Sequence, residues 1–168
     1  MHLTETIVLP TDPRSAARLL ADPEFVREVV AAAGATCEQV DVTGSVGADP
    51  AGAFTVTTRR TLPADQIPPH LRAFVGGRIE VRQVEAWEAP EDDGARVGTV
   101  AVEVVGAPVR LTARATLVPH GTGATAVRYD GELRASVPLF GAAVEEATAA
   151  AVRAALEAQR AVADRRLS

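Results

Sequence analysis

Val109-Arg110-Leu111-Thr112-Ala113-Arg114-Ala115-Thr116-Leu117 alternates without a break. Val109, Leu111, Ala113, Ala115 and Leu117 fall on one side; Arg110, Thr112, Arg114 and Thr116 fall on the other. A period of two is the mark of a β-strand with one covered face and one wet face. The next run repeats the pattern, with Val127, Tyr129, Leu133 and Val137 opposite Arg128, Asp130, Glu132 and Arg134. The turn His120-Gly121-Thr122-Gly123 separates the two, so they read as neighbours in an antiparallel sheet whose inner face needs a cover.

Working outward, the segments near 35–45, 52–61, 78–88, 96–105, 108–118 and 124–137 are rich in Val and Thr. Turn clusters such as Gly47-Ala48-Asp49-Pro50 and Glu91-Asp92-Asp93-Gly94 divide them, which predicts a meander of hairpins. Residues 2–9 add a first strand. Between it and the meander, Thr11 and Asp12 offer caps ahead of Pro13, and Asp22-Pro23 breaks the helical spacing of Leu19, Leu20, Phe25, Val26, Val29 and Val30. That spacing predicts two short helices, the second stopped by Gly34.

The cover is the C-terminal segment. After Pro138 there is no proline and alanine dominates, which favours helix. Phe140, Val144, Ala147, Ala151, Ala155, Ala158 and Val162 form a stripe, widened by Val152 and Leu156. A helix of about 25 residues spans roughly 38 Å, close to the width of seven strands at about 4.8 Å spacing. The expected architecture is therefore α+β, one domain over 1–168: a curved antiparallel seven-stranded sheet, two short helices after the first strand, and a long C-terminal helix across the sheet.

Bulk properties remove several classes of function. A net charge of −5 leaves no basic field for nucleic acid. All 17 cationic side chains are arginine, a bias that fits a GC-rich genome. The start MHLTETIVLP has neither a basic n-region nor a long apolar core, so no signal peptide is expected. No apolar run is long enough to span a bilayer, so integral membrane association is not expected. Cys37 stands alone, which excludes an internal disulfide or a cysteine-based zinc site. The expected location is cytoplasmic.

The element order resembles the START-like (SRPBCC, Bet v 1-like) helix-grip superfamily, which includes lipid-transfer domains, polyketide cyclases and pathogenesis-related plant proteins. Arg59-Arg60-Thr61-Leu62-Pro63-Ala64-Asp65 through Phe74-Val75-Gly76, the strand end Glu85-Ala86-Trp87, and Val137-Pro138-Leu139-Phe140-Gly141 look like an uncharacterised bacterial family within it. The resemblance implies the fold and carries over no catalytic residue.

In such a fold the small residues of helix and strands permit either close packing or a void. A dry void of about 400 Å³ would cost roughly 10 kcal/mol, comparable to the stability of a whole domain, so a large cavity is expected to hold a ligand or water. The expected lining is Phe54 and Val56 on the third strand, Val81 on the fourth, Val102 on the fifth and Leu111 and Ala113 on the sixth. Tyr129 and Leu133 on the seventh and Val144 and Ala151 on the helix complete it. Leu71 and Phe74 would stand at the entrance, on a short helix after Pro68-Pro69 that acts either as a plug or as a gate.

Polar residues divide less cleanly. Gln83 and Glu85 share a face with Ile79, Val81 and Trp87. The expectation is a β-bulge turning both outward; facing inward, Glu85 would need a partner such as Arg60 or Arg114. Tyr129 is either a core residue or a hydroxyl offered to a ligand. His2, His70 and His120 are scattered without metal-ligand spacing, so no metal, cofactor or catalytic residue is assigned. The leading expectation is non-catalytic binding of an apolar small molecule or lipid. A cyclase-like enzyme using Glu85, His70 and Tyr129 and a filled-core protein-interaction domain are the alternatives.

Overall fold

A computed structural model of the protein describes residues 1–49, 51–63, 65, 72–73 and 76–168. Strand β1 (His2–Leu9) leads into helices α1 (Pro13–Leu20) and α2 (Pro23–Ala32). Then come β2 (Thr36–Gly44), β3 (Phe54–Pro63), β4 (Arg78–Trp87), β5 (Arg96–Val104), β6 (Val109–Pro119) and β7 (Thr125–Ala135), followed by helix α3 (Gly141–Leu167). The strands form one antiparallel seven-stranded sheet in the order β1-β7-β6-β5-β4-β3-β2. This is the expected α+β architecture.

Local chemistry sets the helix boundaries. Asp12 accepts a hydrogen bond from the Ser15 amide at 3.0 Å, and Asp22 accepts one from the Glu24 amide at 2.9 Å. A proline follows each cap at a position where its missing N–H costs nothing. Gly34, at φ 83°, turns the chain out of α2.

The long C-terminal helix lies on the sheet as expected, and α2 lies beside it. α3 packs mainly against β1, β7 and α2, while α2 reaches toward β2. The two helices therefore share the cover. Arg166, near the end of α3, ties them together: it meets Asp22 at 2.9 Å and Glu28 at 2.6 Å and lies over the Phe25 ring at 5.8 Å.

The core forms two clusters along the inner face. One gathers Leu9, Phe25, Trp87, Leu117, Val127 and Val162 under α1 and the end of α3. The other gathers Leu3, Val109, Leu111, Leu133, Val144 and Ala149. In the first cluster the Trp87 indole lies across Gly98, its cross-strand neighbour. A Cβ at Gly98 would come within 2.8 Å of the indole and 2.7 Å of the Ala86 carbonyl oxygen. Gly98→Ala should therefore destabilise the fold by about 2 kcal/mol, the usual scale of overpacking. Urea unfolding measures this, and an unchanged midpoint would contradict the close approach.

Candidate functional site

Between the two clusters lies a cavity of about 130 Å³. Val56, Val100, Val102, Leu111 and Ala113 form its floor on β3, β5 and β6. Phe25, Val26 and Val29 of α2 and Val152, Ala155 and Leu156 of α3 form its roof. The space sits where the two helices meet above the middle of the sheet, and where Ala113 and Ala155 place methyls rather than larger groups.

The polar wall comes from β3 and β4. These strands pair in unbroken register from Phe54↔Trp87 to Pro63↔Arg78. With no bulge, alternation leaves Gln83, Glu85 and Trp87 on one face, and Trp87 belongs to the core. The expectation that a bulge turns Gln83 and Glu85 outward is thus corrected: both line the cavity. Arg60 is on the same inner face, whereas Arg59 points outward to Glu80 at 3.7 Å.

These side chains form a short hydrogen-bonded ladder. Arg60 Nη1 donates to Gln83 Oε1 at 2.9 Å, and Gln83 Nε2 donates to Glu85 Oε1 at 2.8 Å. Trp87 Nε1 donates to the other carboxyl oxygen, Oε2, at 3.3 Å. The amide of Gln83 stands between the cation and the carboxylate. The surface Glu85 retains is turned to the cavity it lines. Loss of water pushes its pKa above the ordinary carboxyl value, against the opposing pull of Trp87, Gln83 and Arg60. Burial likewise draws the Arg60 pKa down, against the charge of Glu85 and the Cys37 sulfur.

Tyr129 and Gln159 face the same space. Burial, and then the negative charge of Glu85, hold the Tyr129 phenol well above its ordinary pKa. Gln159 opposes that shift from within hydrogen-bonding reach of the phenol, and Tyr129 Oη and Gln159 Nε2, both fully buried, have no closer partner than each other. Glu5, the cross-strand neighbour of Tyr129, completes the polar lining and meets Arg153 of α3 at 2.6 Å.

The residues expected from sequence to line a cavity divide into three groups. Val56, Val102, Leu111, Ala113 and Tyr129 line it. Phe54, Val81, Leu133 and Val144 face inward but are packed solid. Phe54 stacks with Trp87 at 6.4 Å and lies under Arg96 at 5.1 Å. Leu133 and Val144 belong to the second cluster, and Val81 is buried beside Arg60 and Val104. The inner face is longer than the cavity, and its ends are filled. Ala151 is exposed, although Val144, Val152, Ala155, Leu156 and Val162 of the expected stripe do face inward. Leu71 and Phe74, with Ile67, His70 and Val75, lie outside the described residues. Sequence reasoning missed the α2 residues, Gln159 and the place of Thr58 and Arg60. Strict alternation from Phe54 and Val56 would have put Thr58 and Arg60 on the inner face.

Sheet order, helix placement and cavity together define a START-like helix-grip domain. Similar folds occur in a protein from Thermus thermophilus (16% identity, TM-score 0.62, 100% of both chains covered). They occur also in a START superfamily protein from Mycobacterium smegmatis (10%, 0.55, 98% of this chain and 97% of that one). An aromatase/cyclase from a Streptomyces species is a third (14%, 0.56, 100% and 96%). At such identities the likeness concerns the fold alone. No curated protein matches the sequence significantly. Residues 4–167 match the family described as "Protein of unknown function (DUF2505)", and the chain belongs to that family.

The position of Glu85 has a measurable consequence. Its folded pKa is raised above the unfolded value, about 4.3 for a glutamate. Between those two values the folded chain binds more protons than the unfolded one, so this group makes stability fall as pH rises. Glu85→Gln lacks that titration. The stability of the variant relative to the unaltered protein should climb with pH across that window and level off above it. Urea unfolding at a series of pH values measures the difference; a difference independent of pH would mean that Glu85 is solvated.

Proposed function

We propose that this protein is a non-catalytic binding module for a compact, mainly apolar small molecule, held between the sheet, α2 and α3. The observation that carries the reading is the cavity itself: apolar floor and roof, with a few polar groups converging at one side. Sites of that composition are the usual place for ligands on a globular protein. The START-like fold supports it as well, since that fold commonly encloses apolar ligands.

Size narrows the guest. At about 130 Å³ the cavity is below the roughly 300–1,000 Å³ of pockets for drug-sized ligands. A ring-sized molecule suits it; a full-length acyl chain or polyketide requires α2 and α3 to part. A cyclase-like role draws support from Glu85 and Tyr129 sharing one cavity, but His70, the third residue of that expectation, lies outside the described residues. A wholly filled interaction domain fits less well, because the interior is not full.

Native mass spectrometry of the freshly purified protein, compared with the denatured chain, tests the reading. A small co-purifying mass is expected, and Ala113→Leu, which grows a side chain into the floor, should remove it. The stability of that variant should stay within about 1 kcal/mol of the parent, since the added methyls enter existing space. Persistent absence of any added mass, with no thermal shift across a panel of compact apolar compounds, would contradict the proposal.

A further inference from the structure

We propose that the cavity selects a guest with an ammonium group on a compact apolar body, the ammonium seated against the Glu85 carboxylate. This rests on the binding role proposed above and names the class of ligand.

Two carboxylates line the cavity, and only one of them has a cation in contact. Glu5 is met directly by Arg153 at 2.6 Å. Glu85 forms no ion pair among the described residues: Arg60 reaches it only through the Gln83 amide, by hydrogen bonds of 2.9 and 2.8 Å. The strand register enforces that separation. Arg60 stands opposite Val81 and Glu85 stands opposite Val56, so four residues of β4, about 13 Å of strand, lie between the two positions. Burial accordingly outweighs every other influence on the carboxyl, and Arg60 opposes it least.

The carboxylate also has capacity to spare. Each oxygen takes one donor, Gln83 Nε2 on Oε1 and the Trp87 indole on Oε2, the latter at 3.3 Å. An ionised carboxylate has about four acceptor sites. Because Glu85 is on the inner face, the surface it keeps fronts the cavity. Thr58, opposite Gln83 in the strand pair, adds a hydroxyl to the same wall.

An ion pair ordinarily loses the hydration of both partners. Here the fold has already removed water from Glu85, so the cost of binding falls on the guest alone. A cation in direct contact gains charge-assisted hydrogen bonds, roughly twice as strong as those of a neutral donor. It also stands closer to the carboxylate than Arg60, and in a cavity that difference counts. A carboxylate guest would instead meet Glu85 with like charge. The other groups that face Glu85 do not change the sign: Tyr129 keeps its proton beside Gln159, and α2, α3, β5 and β6 give the lining only uncharged residues. Val56, Val102 and Leu111 below, with Val152 and Leu156 above, accept the apolar body.

The test uses three probes of similar size at neutral pH: cyclohexylamine, which is then an ammonium ion, methylcyclohexane and cyclohexanecarboxylate. Each is titrated into the full-length protein and into Glu85→Gln, and binding is read from backbone amide shifts at Val102, Ala113 and Ala155. The ammonium should bind tightest to the unaltered protein and the carboxylate least. Glu85→Gln should weaken the ammonium about tenfold, the loss of one hydrogen bond to a charged group, and leave methylcyclohexane unchanged. The ranking on the unaltered protein needs no substitution, so it decides the matter even where the variant folds poorly. An ammonium that binds no tighter than the hydrocarbon, or a variant that weakens both alike, would overturn the inference while leaving the cavity as a binding site. Failure of all three probes to bind removes the site and the inference together.

Discussion

The structure turns on one constraint: β4 pairs with β3 in unbroken register, so Gln83 and Glu85 must follow Trp87 to the inner face. An indole of that size has to be buried, and alternation does not allow its neighbours two and four residues away to escape. A carboxylate is thereby carried beneath two helices. Such a group is tolerated only when other side chains replace its water. The Gln83 amide and the Trp87 indole do so directly, and Arg60 does so at one remove. The cavity then gives these groups a space to act on.

The rest of the fold is arranged around that space. α2 and α3 divide the cover of the sheet, and their joint lies above its middle. Arg166 pins the end of α3 to Asp22 and Glu28 on the α2 side. Solid packing at both ends of the inner face leaves the space small. An apolar chamber with a polar corner, of ring size rather than chain size, is what the side chains build. The same corner contains a carboxylate with a raised pKa and a protonated phenol, groups whose chemistry depends on what lies between them.

Much of the fold was legible in the sequence because its signals are strong and local. The alternation from Val109 to Leu117, the aspartate-proline starts of α1 and α2, and the turn glycines each mark an element by steric necessity. The face of α3 was less legible. Alanine on nearly every side gives little contrast: Ala149, Ala155 and Ala163 face inward, while Ala151, one residue before Val152, is exposed. At the site, Val56, Val102, Leu111, Ala113 and Tyr129 were readable from alternation. Glu85 was not, because a preference for solvating a charge opposed the pattern, and here the pattern prevailed. Gln159 lay hidden for a different reason: one polar residue among many on a long helix looks like surface until its neighbours are placed.

The most direct test of this account is the titration of the Glu85 carboxyl carbon, followed by ¹³C NMR and assigned by comparison with Glu85→Gln. A midpoint above the ordinary glutamate value, together with a matching perturbation of the Trp87 indole N–H, is the predicted result. A midpoint at or below the ordinary value, with the indole signal unmoved, would place the carboxylate in water or in a close ion pair and contradict the inward-facing wall.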